Sequence, residues 1–183
     1  IIHTHAHLDH ILASAEIKNR TGAPLLLHQG DKFLWDALED QCQKFGLDYT
    51  PTPEPDVWLK DDAALDCCGG VAIHTPGHTP ESMSIVVWEH ADDAEPHAVL
   101  TGDTLFIGDV GRPDLLSSVG FSQDDLASQL YDSLHGQLMV LPDATKVFPG
   151  HGAGSACGKN LSTDTWSTIG EQRRTNYAIK APD

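Results

Sequence analysis

Thr4-His5-Ala6-His7-Leu8-Asp9-His10 places three histidines and a carboxylate within seven residues. A neutral imidazole is the commonest protein ligand for zinc and iron, and a carboxylate hardens the site and balances the metal's charge. At the end of a strand, residues i and i+2 point the same way. His5 and His7 can therefore reach one ion, while Asp9 and His10 turn toward a neighbouring position. One segment could serve two adjacent metals. A lone cluster of this kind is also compatible with a polar helix start, and the downstream residues decide between the two.

Three further ligand-type residues sit where apolar, strand-like runs end. Val71-Ala72-Ile73-His74 leads into Thr75-Pro76-Gly77-His78, Ala98-Val99-Leu100 into Thr101-Gly102-Asp103, and Val147-Phe148 into Pro149-Gly150-His151. Each is a strand followed by a glycine-containing turn, which lets a sheet edge present one side chain to a common centre. Taken singly, each would be an ordinary loop residue. Three repeats of the pattern after the first motif make His78, Asp103 and His151 candidate ligands.

These residues resemble the metallo-β-lactamase superfamily, whose HxHxDH motif is matched by His5, His7, Asp9 and His10 and whose later ligands correspond to His78, Asp103 and His151. Within it, the stretch Thr101-Gly102-Asp103-Thr104-Leu105-Phe106-Ile107-Gly108-Asp109-Val110-Gly111-Arg112-Pro113-Asp114-Leu115 is similar to the persulfide dioxygenase branch, especially its rhodanese-fused members. So are His151 to Asn160 and Ser167 to Asn176. The implied fold is an α/β, metallo-β-lactamase-like αββα sandwich over residues 1–183 as one partial catalytic domain. Ile1-Ile2 already reads as the end of the strand that delivers His5, so the sandwich is expected to lack N-terminal strands.

The resemblance implies a non-heme Fe(II) persulfide dioxygenase acting on a low-molecular-weight persulfide such as glutathione persulfide, with O2, to give sulfite and thiol. One iron per chain would be held by His5, His78 and Asp103. His7, Asp9, His10 and His151 would orient ligands and water around it or hold a second metal. Asp9, His10 and Cys157 are the candidate catalytic residues, and Arg112 and Cys157 the candidate substrate contacts. A binuclear zinc thioesterase of the hydroxyacylglutathione hydrolase type is the alternative enzyme, and a non-catalytic sulfur-carrier or regulatory module is a third reading. The resemblance of loops 108–115 and 152–160 to the persulfide dioxygenase branch favours iron. Ligand spacing alone does not choose the metal, because all seven ligand types are present.

Composition bounds the partners. With 27 acidic against 11 basic residues the net charge is −16, which repels nucleic acid and anionic lipid. The 20 aspartates outnumber the 7 glutamates and gather in patches such as Asp61-Asp62 and Asp92-Asp93, read as solvated surface. No apolar run approaches the length of a membrane span. Small-molecule substrate and O2 are the expected partners, and a rhodanese domain and a second copy of the chain are also admitted. Cys42, Cys67, Cys68 and Cys157 form neither a zinc knuckle nor a disulfide framework, which fits a reduced, cytoplasmic setting. Cys67 and Cys68, before Gly69-Gly70, are expected in a turn.

Between the ligand loops, helix and strand signals alternate. Leu8 to Asn19 carries apolar residues at near-helical spacing and is stopped by Gly22. Pro24 to His28 reads as a short buried strand. Asp31 is expected to cap a helix presenting Phe33, Leu34, Ala37 and Leu38 and ending at Gly46. Pro51 to Pro55 should be extended at the surface. Ser82 to Trp88 reads as a strand with Ile85, Val86 and Val87 buried on both faces. Ser122 with Asp125 should open a helix carrying Leu126, Leu130 and Leu134, and a last helix should run from about Thr163 toward Tyr177.

Overall fold

A computed structural model describes residues 1–65 and 69–181. The expectation for Cys67 and Cys68 lies outside these residues. The first sheet pairs β1 (Leu26–His28) in parallel with β2 (Val57–Leu59), and Ile2 runs beside Leu26 in an isolated parallel bridge. The second has six strands in sequence order: β3 (Ala63–Leu65), β4 (Gly70–His74), β5 (Met83–Val87), β6 (Ala98–Gly102), β7 (Lys146–Pro149) and β8 (Ser167–Thr168). All its pairings are antiparallel except β6 with β7, which run parallel.

Alternation along the strands sets the layers. Val86, Val99 and Val147 face α5 (Gln123–Ser133) and α6 (Ile169–Thr175) and form one core with Leu130, Leu134 and Ile169. On the opposite face, Ala72, Met83 and Ile85 meet Leu26 and Leu59 of the first sheet. The next residue of β1, Leu27, points the other way, toward α1 (Leu8–Ile11), α3 (Lys32–Asp36) and α4 (Leu38–Phe45). The order is helix, sheet, sheet, helix. Ile85 and Val86 lie on opposite faces of β5 and are both buried, as the apolar run predicts.

Three helix expectations need correction. The segment from Leu8 breaks after Ile11 and resumes as α2 (Ser14–Thr21), with Ile17 exposed, because the buried Ser14 hydroxyl bonds His3 Nε2 at 3.0 Å and re-aims the second segment. The helix after Asp31 bends at Ala37, whose N–H goes to Leu34 C=O at 3.2 Å, while Gln41 Nε2 also donates to that carbonyl. Asp31 caps nothing with its side chain; the carboxylate turns inward and accepts the Ala6 N–H at 2.8 Å. Finally, α6 begins at Ile169 rather than near Thr163: Ser167 and Thr168 are taken by pairing with β7, and the Thr168 hydroxyl then caps the helix by accepting Glu171 N–H. Ser122 does cap α5, accepting Asp125 N–H at 3.2 Å.

Candidate metal centre

Each candidate ligand lies at the end of an element at the same edge of the sandwich. Thr4 C=O accepts the Met83 N–H at 2.7 Å, and Ala6 N–H is held by Asp31, so the backbone on both sides of His5 is fixed. His78 follows β4, Asp103 follows β6 and His151 follows β7. Parallel pairing brings the ends of β6 and β7 side by side, and the Gly150 N–H to Gly102 C=O bond at 2.7 Å continues past the strands.

The seven side chains fall into two groups that meet at Asp103. His7 Nδ1 lies 3.1 Å from His5 Nε2 and 3.0 Å from His78 Nε2. On the other side, His10 Nε2 lies 3.1 Å from His151 Nε2, and Asp9 Oδ2 is 3.2 Å from that same atom. Asp103 Oδ1 is 3.4 Å from His10 Nε2, while its Oδ2 is 3.4 Å from His78 Nε2 and 3.3 Å from His151 Nε2. Cys157, half-buried, sends Sγ to within 4.8 Å of the donors of His78 and Asp103 and likewise of Asp9 and His151.

These donors fit a metal better than they fit one another. Arg112 C=O lies 3.1 Å from His78 Nδ1 and can only accept, so Nδ1 carries the proton and Nε2 offers a lone pair to the centre. Neither oxygen of the fully buried Asp103 carboxylate has a hydrogen-bond partner of good geometry. Ring nitrogens meeting tip to tip at 3.0–3.1 Å are close to the edge of a tetrahedron with metal–nitrogen bonds of about 2.0–2.1 Å, roughly 3.3 Å. His5, His7, Asp9, His10, His78, Asp103 and His151 can thus hold a metal ion or an adjacent pair.

The electrostatics keep the ligands ready. Burial, then the neighbouring His78 and His7 rings, hold His5 well below the ordinary histidine range; burial and His78 bring His7 down to about 4, and burial also lowers His78. These imidazoles stay neutral, the state that binds metal. Burial alone would push the Asp103 carboxyl up, but the His10 and His151 rings against it, with His5 and His78 nearby, hold it far below the carboxylate range. Asp103 in turn raises His151. Burial, followed by the facing Asp103 and Asp9 carboxylates, pushes the Cys157 thiol up to about 11, with the Ser155 hydroxyl opposing.

Arg112 braces the site. Its guanidinium grips Asp114 at 3.0 and 2.5 Å and donates to Ala156 C=O at 3.2 Å. A β-carbon at Gly111 would sit 1.8 Å from Asp103 C=O, so only glycine lets this loop pass. Sequence reasoning missed Asp109, Asn176 and Tyr177. The buried Asp109 carboxylate accepts the N–H groups of Val110, Lys159 and Asn160 and the Tyr177 hydroxyl, while Asn176 Nδ2 donates to Asp109 C=O at 2.9 Å. The available signal was an aspartate amid glycines in one long motif and polar residues just after the final helix. An open cavity of about 550 Å³ lies along this seam, lined in part by Arg112, Asp114, Lys159 and Tyr177.

A helix-sheet-sheet-helix sandwich with a histidine-rich centre at the strand ends defines a class of metal-dependent enzymes. The chain belongs to the metallo-beta-lactamase superfamily, whose family model matches residues 1–151. It is 32% identical over 177 residues to hydroxyacylglutathione hydrolase GloC of Haemophilus influenzae, covering 94% of this chain and 72% of that protein. Among solved structures, it is similar to TTHA1623 in a di-iron-bound form, with a TM-score of 0.73, 31% identity and coverage of 97% of this chain and 75% of that one. ETHE1 from Myxococcus xanthus aligns with a TM-score of 0.65 and 27% identity, over 99% of this chain and 63% of that one. Among the described residues no helix is long and apolar enough to cross a membrane.

Proposed function

We propose that the chain is a non-heme iron persulfide dioxygenase, converting a low-molecular-weight persulfide, O2 and water to sulfite, the parent thiol and two protons. The observation that carries this reading is that loops 108–115 and 152–160, the two that resemble the persulfide dioxygenase branch, are tied to each other through Arg112 with Ala156 and Asp109 with Lys159, and reach the donor cluster through the Arg112 carbonyl and Cys157. Likeness to ETHE1 supports it. Fe(II) held by His5, His78 and Asp103 would supply the oxygen chemistry, in a two-histidine, one-carboxylate set that leaves positions for O2 and a sulfur. His78 is kept in the metal-binding tautomer by the Arg112 carbonyl. His7 stands against His5 and His78 on the same side, Asp9, His10 and His151 line the other, and all four would orient ligands and water around the iron. Asp9, half exposed and 3.2 Å from His151, gives released protons a path to solvent. Cys157 faces the same centre and marks where an incoming sulfur would pass.

A binuclear zinc thioesterase is the second reading, favoured by the completed Asp9, His10 and His151 group on Asp103 and by similarity to GloC. A bound pair of zinc ions would bring water near neutrality for attack on a thioester. Elemental analysis of protein prepared without oxygen, together with oxygen uptake and sulfite formation from glutathione persulfide, separates the two. A single iron per chain with sulfite as product is expected. Two metals per chain, thioester hydrolysis and no sulfite would install the zinc hydrolase instead.

A further inference from the structure

We propose that Cys157 is itself a ligand of the metal centre, a thiolate reached from both donor groups that closes the resting site until an incoming sulfur or water displaces it. The inference rests on the metal centre and not on which reaction it performs.

Three independent observations support it. Cys157 Sγ lies within 4.8 Å of the donor atoms of His78 and Asp103 and, as part of a second set, of those of Asp9 and His151. It therefore stands between the two groups, as Asp103 does. Both Asp103 oxygens are wholly buried without a hydrogen-bond partner, and one of them lies within 4.8 Å of Cys157 Sγ. Finally, the loop is held on both sides of Cys157. Ser155 Oγ accepts the Cys157 N–H at 3.1 Å, and Arg112 Nη1 donates to Ala156 C=O at 3.2 Å. Beyond it, the Asp109 carboxylate accepts the N–H groups of Lys159 and Asn160 at 2.6 and 2.8 Å and is itself fixed by Tyr177 Oη at 2.6 Å. A loop tied to other segments at residues 156, 159 and 160 and closed on itself by Ser155 has little freedom to carry its one sulfur elsewhere.

The chemistry balances without an oxidant. On binding a metal, Cys157 would lose its Sγ–H proton to water and offer the freed electron pair as a ligand. Thiolate is the form in which cysteine ligates zinc and iron, at a metal–sulfur distance of about 2.3 Å for zinc. A substrate sulfur anion, being the same kind of donor, can take over the position, and Cys157 then recovers a proton.

The test reads the metal's surroundings directly. X-ray absorption on the zinc-loaded protein should show one sulfur at about 2.3 Å beside nitrogen and oxygen donors. A Co(II)-loaded sample should show a sulfur-to-cobalt charge-transfer band in the near ultraviolet. Cys157→Ser should still bind cobalt through the histidines and Asp103 but lose the band. A shell of nitrogen and oxygen alone in the unmodified protein overturns the proposal, as does a band that survives in Cys157→Ser. Either result leaves the proposed reaction standing, because the wild-type spectrum is read without turnover.

Discussion

At the scale of single residues, Asp103 is the point on which both donor groups depend, since it is the one buried carboxylate between them. Asp103→Asn removes that charge but keeps the shape. Metal affinity should fall by more than the roughly 10- to 100-fold typical of an outer-shell change, and activity should fall with it; metals per chain and turnover check this, and full occupancy in the variant would remove Asp103 from the ligand set. Asp31 carries a different prediction. Burial pushes its carboxyl up to about 7, against the opposing Ala6 N–H. Between the ordinary value and about 7 the folded state binds more protons than the unfolded one, so this group's contribution to stability falls as pH rises through that window. Asp31→Asn should show the smaller loss when urea midpoints at equal metal loading are compared from pH 4 to pH 7. A wild-type midpoint that gains on the variant as pH rises would refute the sign. That the candidate donors gather at one centre was legible because they cluster by type in short loops. Asp31 was misread because an aspartate before a helix signals a cap, and nothing local reveals that its true partner is Ala6, 25 residues away.

At the scale of elements, α5 supports the His78 loop as well as the core. Ser133 Oγ donates to Pro76 C=O at 2.7 Å, and a β-carbon at Gly77, where φ is +137°, would lie 2.3–2.6 Å from Leu130 Cβ and backbone atoms. Gly77→Ala should therefore cost about 1–3 kcal/mol through backbone strain alone and weaken metal binding by tilting His78. Urea unfolding and metal titration measure the two effects, and a variant with unchanged stability and affinity would show that the helix does not fix the loop. Apolar runs disclosed β4, β5, β6 and β7, although two-sided burial explains the run only in β5, since Leu100 of β6 and Phe148 of β7 are exposed. The breaks at Leu12 and Ala37 were hidden: apolar spacing continues across both, and the causes, Ser14 with His3 and Gln41 with Leu34, are side-chain choices made in three dimensions.

For the molecule as a whole, the order of layers could be inferred from resemblance and the strand alternation that supports it, whereas the clasp of Asp109, Asn176 and Tyr177 could not, because it joins segments about 70 residues apart through groups common on any surface. The parallel neighbours β6 and β7 have one more consequence, for how the chain folds. Their pairing encloses the whole stretch from Gly102 to Lys146, and only when that loop closes do Asp103 and His151 stand together. Closing it is an entropic barrier that precedes any reward from the contacts it makes. A metal ion does not find the complete candidate set before folding, since His78, Asp103 and His151 stay apart from the local run His5 to His10 until topology is complete. It can only lock the finished state. Refolding rates should therefore be indifferent to added zinc, while unfolding slows as zinc rises, the pattern of a contact absent from the transition state. Stopped-flow traces in both directions would show it, and refolding accelerated by zinc would mean that the centre assembles before the parallel strands meet.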